Sequence, residues 1–79
     1  MRGLVSMQIK ITNRIEQKID DLQKTTGITK KWVAAQLDMS PQRLYALFKA
    51  DNMMLDVAIK FSVFLNCDIK DLFEYEVIK

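Results

Sequence analysis

The sequence predicts an all-α chain of five short helices around one core, with extended segments at its two ends. Three observations carry this. Apolar residues recur at spacings of three and four, the period of a helix with one buried face. Good helix caps, Asn13, Thr29, Ser40 and Asp68, stand just before such runs. The two glycines and the single proline fall where a helical reading needs punctuation. At 79 residues, with about half of them apolar, the chain supports one core and therefore a single domain over residues 1–79. A core this small is often supplemented by a second copy of the chain, so a homodimer is expected.

From the N-terminus, Met7 to Ile11 alternates, with Ile9 and Ile11 on one side, and Tyr75 to Ile78 alternates at the other end. These ends either pair with one another as a ribbon, pair with their equivalents on a second copy, or stay frayed. Asn13 caps a helix to about Lys24 in which Ile15, Ile19 and Leu22 face inward, and Gly27 ends it. Thr29 caps a second helix, residues 30–37, with Val33, Ala34 and Leu37 inward. After a turn at Asp38 and Met39, Ser40 caps a third, with Pro41 at the first helical position, where its missing N–H costs nothing. Leu44, Leu47 and Phe48 face inward there. A fourth helix over about residues 54–65 is apolar nearly all round, so a single neighbour cannot cover it. It is either the central helix or partly an interface. Asp68 caps a fifth helix through Phe73, with Asp71 as its dipole partner rather than as half of an acid pair.

Composition excludes several classes of function. With one cysteine and no histidine, the chain lacks an intrachain disulfide, a zinc cluster and the commonest general base. No enzyme activity, metal or cofactor is expected, and Cys67 reads as core filler rather than a reactive thiol. No apolar run reaches the roughly 20 residues that span a bilayer, and the start lacks a signal-peptide pattern, so a cytoplasmic protein is expected. Met7 is an alternative start, which makes residues 1–8 either an arm or partly an artefact. Charge is uneven. Residues 24–49 carry Lys24, Lys30, Lys31, Arg43 and Lys49 against Asp38 alone, whereas residues 50–79 carry three cations against six anions. A basic middle suits phosphate contact, or is an ordinary solvated surface.

The segment KKWVAAQLDMSPQRLYALFK, residues 30–49, meets the requirements of a helix-turn-helix. Ala34 is small enough to lie under the third helix. Val33, Leu37, Met39, Leu44 and Leu47 supply an apolar wedge, and Asp38 stands where the turn needs positive φ. Followed by MLDVAIKFSVFLNCDIKDLF, this pattern resembles the Cro/CI-type (XRE) helix-turn-helix family of phage and bacterial repressors over roughly Ile15 to Phe73. Asp38 and Asn66 stand where that family commonly has glycine, and Pro41 replaces a polar residue that often faces DNA.

The resemblance implies a Cro/CI repressor-like domain whose third helix, 41–49, enters the major groove of double-stranded DNA. Gln42, Arg43, Tyr45 and Ala46 are then the base readers: Gln suits adenine, Arg guanine, and Ala a thymine methyl. Thr29, Lys30, Lys31, Ser40, Lys49 and Asn52 are the backbone contacts. For Gln42, Arg43 and Lys31 the competing reading is a solvated surface; for Tyr45 it is sideways packing on the fold. Trp32 is expected at the edge of the core or, alternatively, covering the N-terminal arm, and Met53 and Met54 as gap-fillers. Val57, Val63 and Phe64 exceed what such a core needs and, with Val77, mark candidate dimer surface. The expected function is a sequence-specific transcriptional regulator, nucleoid-associated and most simply a phage or mobile-element repressor. The alternative keeps the fold but makes it a protein-interaction module, such as an antirepressor or antitoxin-like partner.

Overall fold

The structure, a computed structural model, describes residues 8–78. The expected start of the first strand at Met7 and most of the 1–8 arm lie outside the described residues. In order, the chain forms β1 (Gln8–Asn13), α1 (Ile15–Thr26), α2 (Lys30–Gln36), α3 (Pro41–Phe48), α4 (Leu55–Leu65), α5 (Ile69–Leu72) and β2 (Phe73–Ile78).

The helix ends follow local chemistry. Thr29 Oγ1 accepts from the Trp32 N–H at 3.0 Å, and Ser40 Oγ accepts from the Arg43 N–H at 3.2 Å. Each hydroxyl thus satisfies one of the donors that a helix N-terminus leaves open. At the other ends the chain turns left-handed at Gly27 (φ 76), Asp38 (φ 57) and Asn66 (φ 53). After α2 the Met39 N–H donates to Ala34 O and the Asp38 N–H to Ala35 O. After α4 the Cys67 N–H donates to Ser62 O and the Asn66 N–H to Val63 O. Both ends are Schellman motifs, which close the last carbonyls on the returning backbone. α1 runs two residues beyond its expected end, and α5 stops at Leu72 because Phe73 is already extended (φ −132).

β1 and β2 form an antiparallel ribbon from Gln8↔Ile78 to Asn13↔Phe73. Of the three arrangements open for the chain ends, pairing within one chain is the one found. Opposed residues share a face, so Ile9, Ile11, Phe73, Tyr75 and Val77 lie on one side of the ribbon and Lys10, Thr12, Glu74 and Glu76 on the other. Lys10 opposite Glu76 is a favourable cross-strand pair. At the ribbon base Arg14 Nη2 lies 2.8 Å from Glu74 Oε2. That contact raises the Arg14 pKa and lowers the Glu74 pKa, in each case first through the hydrogen bond and then through the opposite charge.

The core joins Ile15 and Ile19 of α1, Val33, Ala34 and Leu37, Leu44, Leu47 and Phe48 of α3, Val57, Ala58 and Phe61 of α4, and Leu72. The inward positions expected in the first three helices are in it, except that Leu22 is half-buried. Two expectations for the fourth helix need correction. Val57 is not surplus surface: at 7 % exposure it belongs to the core. Met54 is not a gap-filler: it caps α4 at 69 % exposure, while Met53 packs against the core as expected. Trp32 lies further out than the core edge and meets Phe64 in a tilted contact, ring centroids 6.1 Å apart.

Candidate nucleic-acid interface

α3 buries Leu44, Leu47 and Phe48 and leaves Gln42, Arg43, Tyr45, Ala46 and Lys49 exposed. The exposed positions fall at i, i+1, i+3, i+4 and i+7, one face of a helix. Pro41 begins the helix without a polar group, so this face starts at Gln42. Tyr45 is about half exposed while its ring meets Phe48 edge-on, centroids 6.0 Å apart. It therefore combines the two alternatives the sequence left open, leaning on the fold with much of its surface in solvent.

Beside this face stands the start of α2. Lys31 and Thr29 are exposed, and the Thr29 oxygen that caps the helix keeps its own O–H free to donate. Lys30 is held differently, its Nζ 2.8 Å from Asp20 Oδ1 of α1. The hydrogen bond to Asp20 raises the lysine pKa above its ordinary value, opposed by burial and helped by the charge of Asp20. α2 and α3 pack directly against one another. Lys31 is an exposed cation, whereas Lys30 reaches an outside anion only by sharing itself with Asp20. Asn52 is exposed in the loop after α3. It borders an apolar groove of about 480 Å³ between that loop, α4 and the ribbon, lined also by Ile9, Tyr75 and Leu55.

Two supporting residues escaped the sequence reading. Asn13 was expected only as a cap for α1. The N-cap of α1 is instead Arg14, and Asn13 ends β1; its Oδ1 accepts from the Ile15 N–H at 3.0 Å, and its Nδ2 donates to Leu47 O at 2.8 Å and Ala50 O at 3.0 Å. One amide thus ties the ribbon–α1 junction to the C-terminal end of α3. The second residue, Asp20, carries no local signal, because its partner comes from the next helix.

A family model for the Cro/C1-type helix-turn-helix DNA-binding domain matches residues 18–77. The chain belongs to that family. In this Cro/C1-type domain the match takes in most of α1, all of α2 to α5 and nearly all of β2, so α3 lies inside the matched DNA-binding domain. No curated protein matches the chain. Among the described residues no helix is long and apolar enough to cross a membrane.

Proposed function

We propose that this domain is a sequence-specific transcriptional regulator that inserts α3 into the major groove. The observation that carries the reading is the exposed α3 face, Gln42, Arg43, Tyr45, Ala46 and Lys49, opposite the buried Leu44, Leu47 and Phe48. Gln42 and Arg43 lie in the first turn, where a recognition helix meets base edges, and both have the donor geometry for bidentate contact. Ala46 and Tyr45 follow one turn on. Lys31, Thr29, Ser40 and Lys49, with Asn52 beyond the helix, hold phosphates on either side, and Lys30 joins them by releasing part of its hold on Asp20. The regulator acts as a cytoplasmic, nucleoid-associated homodimer on half-sites about one DNA turn apart. Its most economical role is a repressor of the phage or mobile-element kind.

Charge reversal of α3 tests the reading. Arg43→Glu abolishes binding to the preferred duplex at physiological salt, while Lys31→Glu weakens specific and scrambled duplexes alike and flattens the salt dependence. A second reading, a protein-interaction module, draws on the uncovered apolar residues of α4. It requires Arg43→Glu to leave the function of the domain intact.

A further inference from the structure

α4 buries Val57, Ala58 and Phe61 and presents Leu55, Ile59 and Val63 on the opposite side, at 69, 44 and 72 % exposure. The three are four residues apart, so they fall within about 40° of one line and extend over about 12 Å. On one flank of this stripe lie Asp56 and Lys60, both exposed and neither in an ion pair among the described residues. The other flank carries the small, half-buried Ser62. A groove of about 410 Å³ beside Ile59 and Val63 is walled by Leu37 and Asp38 of the helix-turn-helix and by Phe64.

We infer that this stripe is the seam of a homodimer in which α4 packs antiparallel against α4 of a second copy, about a two-fold axis near Ile59. The inference deepens the homodimer reading above by giving it a surface. A two-fold perpendicular to the two helices keeps each flank on its own side of the seam and reverses chain direction. Leu55 then meets Val63 of the copy, Ile59 meets Ile59, and Asp56 lies across from Lys60 of the copy, twice over. Only this antiparallel arrangement brings the charged flank against itself with opposite signs opposed; a parallel two-fold would carry it to the other side of the seam, leaving Asp56 and Lys60 across from the uncharged flank of the copy. The groove beside Val63 lies where Leu55 of the copy arrives. With only three apolar residues from each copy at its centre, the seam is expected to hold a weak dimer, of about micromolar affinity or weaker.

The test uses the full chain without DNA, by sedimentation equilibrium up to several hundred micromolar. Wild type is expected to dimerise. Asp56→Lys and Lys60→Asp each turn two attractions into repulsions and should weaken assembly about tenfold. An equimolar mixture of the two variants should recover dimer as the heterodimer, a result that neither an effect within one helix nor misfolding reproduces. A monomeric wild type, variants that assemble like wild type, or a mixture no better than its components would each overturn the proposal. Duplex binding is measured separately on a single half-site, which both variants should hold like wild type. Failure of wild type there counts against the DNA reading and leaves the seam standing.

Discussion

α3 and α4 lie against the same core and offer solvent opposite kinds of surface. α3 turns Leu44, Leu47 and Phe48 inward and shows Gln42, Arg43, Tyr45 and Lys49; α4 turns Val57 and Phe61 inward and shows Leu55, Ile59 and Val63. A polar exposed face is stable in water by itself and is free to exchange water for phosphates and base edges. An apolar one gains free energy only when something covers it, at roughly 25 cal/mol per Å². On the two proposals above, the contrast separates two tasks by helix: recognition on α3 and association on α4. Both helices are anchored on one core, so damage to that core removes both tasks, whereas a surface change should remove only one.

The largest effect that sharpens this comparison comes from inside. Phe61→Ala leaves a cavity at the centre of α4 and should cost about 3–5 kcal/mol, seen as a collapse of the urea midpoint. Val63→Ser, two positions on and facing solvent, should move that midpoint little; a comparable loss would mean that the exposed stripe is part of the monomer core. Next is Arg43→Glu on α3, which should weaken specific duplex binding about 100-fold or more with the urea midpoint unchanged. An equal effect on affinity from a reversal on the exposed face of α4 would dissolve the division between the helices.

Third, Asn13→Ala removes the amide donor that holds Leu47 O and Ala50 O, and should cost about 2 kcal/mol. It should also loosen the α3 end and lower DNA affinity, which a simple N-cap loss would not do. Fourth, Asn66→Gly relieves a left-handed residue after α4 and should stabilise by up to about 1 kcal/mol without changing binding.

The smallest effect concerns pH. Glu74 has its pKa lowered by Arg14, so the pair stabilises the fold above the ordinary carboxylate pKa. That contribution is lost as pH falls through the depressed value. Amide exchange in β1 and β2 should speed up selectively on acidification below the ordinary carboxylate range, and Glu74→Gln should remove the pH dependence of that difference.

The helix-turn-helix was largely legible in the sequence because its signals are local. Thr29 and Ser40 cap within three residues, Pro41 starts a helix by itself, and Asp38 had to sit at a tight turn. The α3 face followed once Leu44, Leu47 and Phe48 were taken as inward. α4 resisted for the converse reason: a helix apolar all round has no phase to read, so Val57 and Val63 looked alike although one is buried and the other is not. Interactions between distant residues were not legible either. Gln8 meets Ile78 across nearly the whole chain, Asn13 reaches Leu47, and Asp20 draws on Lys30. Alternation shows that a strand wants a partner, and a caps-and-spacing reading cannot say which.

The central claim is that the α3 face reads sequence. Its most direct test is a fluorescence-anisotropy titration of the full chain against the duplex upstream of its own gene and against a scrambled duplex, at low and physiological salt. The account predicts tighter binding to the upstream duplex that persists at physiological salt and is lost in Arg43→Glu. No binding to either duplex at low salt, or equal binding by wild type and Arg43→Glu, would contradict it.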